Sequence, residues 1–203
     1  MAEQSTESPR TPAIVEDAIV ELHPSGDVVL IVSESGGDKR RKKFLASSIL
    51  LSAASTYFNT LFGPTFKEGQ QAADGSRREI NLEDDDPDAM EIILSVLHYK
   101  DFVRFERLDA EQLAAVAKQG DKYLCNSALK PWIPQWFAHL EKEGGNLKLG
   151  MLLVAAYFFG AGNAFENITA RTVRELPRLF LSAWEEQPSL ALLPSETRGK
   201  YSK

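Results

Sequence analysis

Apolar and polar positions along this chain change period several times, and each change marks an element. Residues 1–12 are polar, hold two prolines and read as a flexible tail. Apolar positions at Ile14, Val15, Ala18, Ile19 and Leu22 come near helical spacing. A strand that forms on pairing with a partner fits them equally well. His23-Pro24-Ser25-Gly26 signals a turn, Val28–Val32 a β-run, and Ser35-Gly36-Gly37-Asp38 a second turn. Lys42–Leu45 then returns as a second strand, which makes a hairpin. Ser47 or Ser48 offers a hydroxyl to cap a helix, and Ile49, Leu50, Leu51 and Ala54 give that helix its apolar face. Ser55 restarts a helix that buries Tyr57, Phe58, Leu61 and Phe62 and stops at Gly63-Pro64.

Residues 67–77 are polar and contain glycine, as a loop does. Arg78–Leu82 alternates like a half-buried strand. Asp86 and Pro87 suit the cap and first position of a helix whose inner face is Met90, Ile93, Leu94 and Leu97, running to Tyr99. Asp109 and Gln112 have capping-box spacing ahead of Leu113, Val116, Ala117 and Tyr123. Leu129, Trp132, Ile133, Trp136 and Phe137 follow, with Asn126 as a cap and with Pro131 and Pro134 delaying or distorting the helix. Glu141–Gly145 reads as a linker. Two further helical patterns cover 147–159 and 164–176, and Phe180 with Trp184 suggests a short last helix. From Glu185 the periodicity fades into a tail expected to be disordered. The order predicts an α+β fold, a small sheet covered by a helical cluster and followed by extra C-terminal helices.

The chain has 203 residues, 43% of them hydrophobic, enough for a substantial core. A net charge of −6 argues against direct binding to nucleic acid, which needs clustered cations. One cysteine, Cys125, allows no intrachain disulfide and suits a reducing compartment, cytoplasmic or nuclear. Met1–Pro12 lacks the apolar core of a secretory signal. The longest apolar stretch, residues 149–162, falls short of the ~20 residues that span a bilayer.

The chain carries no constellation suited to catalysis, so it is not expected to be an enzyme. His23, His98 and His139 lie far apart and, with a single cysteine, make no metal site; no cofactor is implied either. The acidic run Glu83–Asp86 with Asp88 reads as charge beside a helix N-terminus rather than a calcium loop. Lys39–Lys43 is a nuclear import signal, an acidic-partner site or, on the favoured reading, a solvated hairpin turn whose charges blunt an edge strand. Trp132, Trp136 and Phe137 either anchor a partner or pack the domain against its extension. Phe102-Val103-Arg104-Phe105 is equally an exposed apolar connection or a short strand completing the sheet.

Taken in order, Asp27 before its β-run, Phe44, Leu51, Ala53, Ser55, Tyr57 and Phe58, then Phe66-Lys67-Glu68, Ile80-Asn81-Leu82, the helix from Pro87 to Tyr99 and Asp121-Lys122-Tyr123-Leu124 resemble the BTB/POZ domain. The resemblance covers residues 23–137, with 1–22 left as a flexible N-terminal segment. Residues 138–203 look like the helical extension behind the domain in many fungal members. Ser47 and Ser48 stand where the family often has histidine and lysine, so the charged pocket of some dimeric members is half matched, and Asp27 reads alternatively as an acceptor for backbone N–H groups.

The resemblance implies a protein–protein interaction module that self-associates, commonly as a homodimer, through the first helix and the segment before the first strand. Here those supply Ile14, Ile19, Leu22, Ile49, Leu50, Ala53 and Ala54. Ile49 and Leu50 offer more apolar surface than one short helix needs internally, and the small residues beside them permit close approach. Other BTB proteins are alternative partners, as in a nuclear scaffold of mixed dimers. An adaptor of a cullin-type ubiquitin ligase would use Tyr99, Phe102 and Phe105.

Overall fold

In a computed structural model of the protein, the described residues are 18–35, 40–64, 77–140, 142, 144–176, 184, 187–188 and 190–194. Four strands, β1 (Ile19–Glu21), β2 (Val28–Ser33), β3 (Arg41–Ala46) and β4 (Arg78–Glu83), form one sheet in the order β1-β3-β2-β4. β2 and β3 are the antiparallel hairpin, with Val28 opposite Ala46. β4 runs parallel to β2, Leu30 facing Ile80. β1 runs parallel to β3, Ile19 facing Lys43. The segment 1–22, expected to be flexible, thus ends in a strand that pairs within its own chain. β3 in consequence lies between β1 and β2, with β1 covering it at Lys43–Leu45; Lys39 of the basic run lies outside the described residues.

Helices among the described residues are α1 (Ser48–Ala54), α2 (Thr56–Leu61), α3 (Pro87–Leu97), α4 (Phe102–Phe105), α5 (Ala110–Lys122), α6 (Asn126–Leu129), α7 (Ile133–Leu140), α8 (Asn146–Phe158) and α9 (Gly162–Glu175), followed by a 3₁₀ turn at Leu190–Leu192. The architecture is α+β. Val28, Leu30, Val32, Phe44, Ala46, Ile80 and Leu82 alternate along the strands onto one face of the sheet and join the main core. Val29, Ile31 and Leu45 form a separate small cluster on the other face. α3 is buried at every position except Asp88, the mark of a central helix. Its start follows the local chemistry: Asp86 Oδ1 accepts from the amides of Asp88 (2.9 Å) and Ala89 (3.2 Å), with Pro87 at the first position. α5 opens with a complete capping box, Asp109 accepting from Gln112 N and donating its own amide to Gln112 Oε1.

One core runs from Leu22 to Leu193 and takes in α8. Gly150 sits in the middle of α8 because a Cβ there would lie 2.8 Å from Leu190 Cδ1 and 3.1 Å from the Trp184 ring. Trp184 donates from its indole nitrogen to Asn146 O at 3.0 Å. Leu190 and Leu193 are fully buried, so this part of the tail is packed where disorder was expected. Of the expected last helix only Trp184 is among the described residues.

Candidate interaction surface

Several residues that carry the family resemblance, Phe44, Leu51, Ser55, Phe58 and Tyr123 among them, are buried; Phe66-Lys67-Glu68 lie outside the described residues. Ser55 caps α2, its Oγ accepting from Phe58 N at 3.1 Å and donating to Tyr123 O at 2.6 Å. The Tyr123 ring stacks on Phe58, centroids 5.3 Å apart and 3° from parallel, and meets Tyr57 edge-on at 4.9 Å. The Tyr123 hydroxyl donates to Asp85, and Lys122 Nζ reaches the other oxygen of that carboxylate at 2.5 Å. Asp85 is completely buried as a side chain, so these two donors replace the water it has lost. Burial and the adjacent carboxylate push the Tyr123 phenol far up. Asp85 is thus a structural anchor, a role that its place in an acidic run did not suggest.

Asp27 is the acceptor for a backbone amide. Its Oδ1 takes Ser48 N at 2.8 Å and its Oδ2 takes Ser48 Oγ at 2.6 Å, with Arg78 at 3.2 Å. The N-cap of α1, Ser47, makes no side-chain capping bond; the carboxylate arrives instead from the start of β2. Burial raises the Asp27 carboxyl, but the bonds from Ser48 and Arg78 outweigh it and the net shift is downward. His98 is buried; it donates from Nδ1 to Leu94 O at 2.7 Å and accepts Ser47 N at Nε2 at 3.0 Å. The end of α3 and the start of α1 are thereby joined, and burial holds this imidazole below its usual range.

Some of the described interface candidates face outward. On α1, Ile49 is 78% exposed. Ala53, one turn on, is exposed as well, and Leu50 and Ala54 beside them are half-buried. Leu51 points inward and is fully buried. Ile19 on the edge strand β1 is 54% exposed. Leu22 is buried in the core and offers no surface, which corrects its expected interface role. Ile14 lies outside the described residues.

The connection after α3 is helical rather than a strand. Tyr99 is 77% exposed and sits at φ 56°, in the left-handed region. Phe105 is buried, its carbonyl accepting from the Trp136 indole at 2.9 Å, so it is not a surface residue. The side chain of Phe102 is not among those described. Val103, at 87% exposure, is the outward apolar residue here; the sequence placed it in the right connection without showing which side chain faces out. Trp136 is fully buried and stacks toward Phe159 at 6.1 Å, which packs the domain on its extension. Trp132 and Phe137 are half-buried against the same core.

Two residues of the basic run, Arg40 and Lys42, are engaged by acids, and Lys39 lies outside the described residues. Lys42 bonds Glu91 and Asp88, Arg40 bonds Asp88 and Glu34, and Arg104 bonds Glu91 at 2.5 Å. Cys125 is buried, with its thiol pushed up to about 12 by burial. Among the described residues no group of histidine, cysteine, aspartate and glutamate is placed to hold a metal. No described helix is long and apolar enough to cross a membrane.

The family model for the BTB/POZ domain matches residues 22–130. Comparison with curated proteins finds no match.

Proposed function

The chain belongs to the BTB/POZ domain family, a family of protein-interaction domains, and we propose that it self-associates as a homodimer and recruits other proteins without catalysing a reaction. The observation that carries the reading is the strip on α1. Ile49 stands 78% exposed on a helix whose Leu51 is fully buried. A side chain of this size gains about 1.5–3 kcal/mol on full burial, and a two-fold interface would count it twice. Ala53, exposed beside it, lets a second helix approach closely. Ile19 on the free edge of β1 extends the apolar surface of the N-terminal part. Mixed dimers with other BTB proteins would use the same strip. The single cysteine favours the cytoplasm or nucleus as the place of work.

Light scattering coupled to size exclusion tests the proposal. The parent should elute at about twice the 22.6 kDa of one chain, and Ile49→Lys at the mass of one chain with an unchanged circular dichroism spectrum. A parent that stays monomeric at high concentration sinks the reading.

Adaptor work for a cullin-type ligase is a second reading, favoured by the exposed Tyr99 and Val103 on the α3–α4 connection. It predicts that a cullin co-purifies with the chain and is lost on a Tyr99→Ala, Val103→Asp double change. Absence of any cullin from the parent's complexes removes it.

A further inference from the structure

A cleft of about 560 Å³ opens between α5 and the acidic turn Asp84–Asp86 on one side and α8 with the 3₁₀ turn on the other. It lies on a different part of the chain from the α1 strip. Glu34, Asp84, Asp86 and Glu111 bring carboxylates to it, and Lys118 is the cation among its described lining residues. Glu34 is engaged by Arg40, and Asp84 accepts from Ser35. The floor includes Ala114, Met151 and Val154.

Gln119 also lines this cleft. It is 97% buried, being 3% exposed, and among the described residues its Oε1 has no hydrogen-bond partner. A buried amide oxygen left without a donor costs the full desolvation of the group, so a donor brought by a ligand is rewarded. We propose that the cleft receives a lysine or arginine side chain presented by a segment of a partner protein. Such a side chain pairs an aliphatic stem with a cationic head that only donates. The stem matches Ala114, Met151 and Val154; the head matches Gln119 Oε1 and the carboxylates of Asp84, Asp86 and Glu111. A phosphorylated or acidic segment would meet like charge here. A bare divalent ion is a poorer match, since no metal-holding group exists among the described residues.

The test is a heteronuclear NMR titration of the labelled full chain with Nα-acetyl-lysine methylamide and Nα-acetyl-arginine methylamide. Expected are saturable shifts at the amides of Ala114, Lys118 and Gln119 and at the Gln119 side-chain amide, and none with the neutral norleucine analogue. Gln119→Met keeps the volume and removes the acceptor, and Glu111→Gln removes a charge from an exposed position. Each should weaken the basic analogues about tenfold, the worth of a charged hydrogen bond. Equal shifts with norleucine, no saturation, or indifference to both variants overturns the proposal. So does a chain carrying R198A, K200A and K203A that binds the analogues more than about tenfold tighter, because the cleft would then belong to the chain's own basic residues.

Discussion

Removing one hydroxyl group tests whether the residues behind the family resemblance hold the fold together. Tyr123→Phe deletes the donor to Asp85 and leaves the ring, which remains stacked on Phe58 at 5.3 Å and edge-on to Tyr57. Apolar burial is therefore nearly unchanged, and the loss is that of a hydrogen bond to a buried carboxylate. Lys122 still reaches the other oxygen at 2.5 Å, which keeps Asp85 paired and limits the cost to about 2 kcal/mol. For a domain of this size that is a fall in Tm of roughly 4–8 °C. The assay is urea unfolding followed by circular dichroism, at one fixed protein concentration because self-association adds to stability. The midpoint should fall with the slope unchanged. In a double-mutant cycle Asp85→Asn should couple to Tyr123→Phe by about 1–2 kcal/mol. A loss under ~0.5 kcal/mol with no coupling, within the range of an ordinary surface change, would refute the assignment of Asp85 as the anchor.

Asp27→Ala should destabilise by about 1 kcal/mol, as loss of an N-cap does, since it removes the acceptor of Ser48 N and of Ser48 Oγ. Because the Asp27 carboxyl is shifted below its ordinary 3.8, this contribution is present above about pH 4 and disappears as pH falls through the folded value; acid unfolding of the two chains should converge there. His98 works with the opposite charge. Its folded pKa lies below 6.5, so under 6.5 the unfolded chain takes up a proton that the folded chain refuses, and stability falls as pH drops. The urea midpoint should be lower at about pH 5.5 than at about pH 7.5, and the difference should shrink in His98→Gln. Gly150→Leu places atoms where Leu190 Cδ1 and the Trp184 ring lie. Amide hydrogen exchange at Leu190–Leu193 should speed up, while α3 keeps its protection.

What could be foreseen from the sequence depended on how far apart the interacting groups lie. The caps at Ser55, Asp86 and Asp109 were legible because donor and acceptor are at most three residues apart. Asp27 and Ser48 are 21 residues apart, and Asp85 and Tyr123 are 38; no local pattern links them. The β-run of Val28–Val32 and the alternation of Arg78–Leu82 predicted strands, but the place of β3 inside the sheet depends on β1, three residues whose spacing also fits a helix. α4 is four residues long, about one turn, so periodicity could not say that Phe105 turns in while Val103 turns out. On α1 the excess of apolar residues was visible and Ile49 is indeed outward. Leu22 has the same chemistry but lies where the chain enters the core beside β3, its amide bonded to Leu45 O at 2.9 Å. The packed turn at Leu190 had one available signal, Gly150 inside an apolar helix, where glycine marks a close approach.

The resemblance residues that hold the fold together differ from those open to a partner in this chain. Ser55, Phe58, Lys122 and Tyr123 make the resemblance recognisable, and each is occupied by an internal bond or ring contact. Side chains held in this way have little capacity left for a second molecule. Any partner must therefore be met by groups outside that set: Ile49 and Ala53 on α1, Tyr99 and Val103 after α3, Glu111 and Gln119 along α5. Exchanging these for another family member's residues should change what binds while leaving the unfolding midpoint near that of the parent. Exchanging Tyr123 or Asp85 should lower the midpoint and affect binding only through the loss of folded chain.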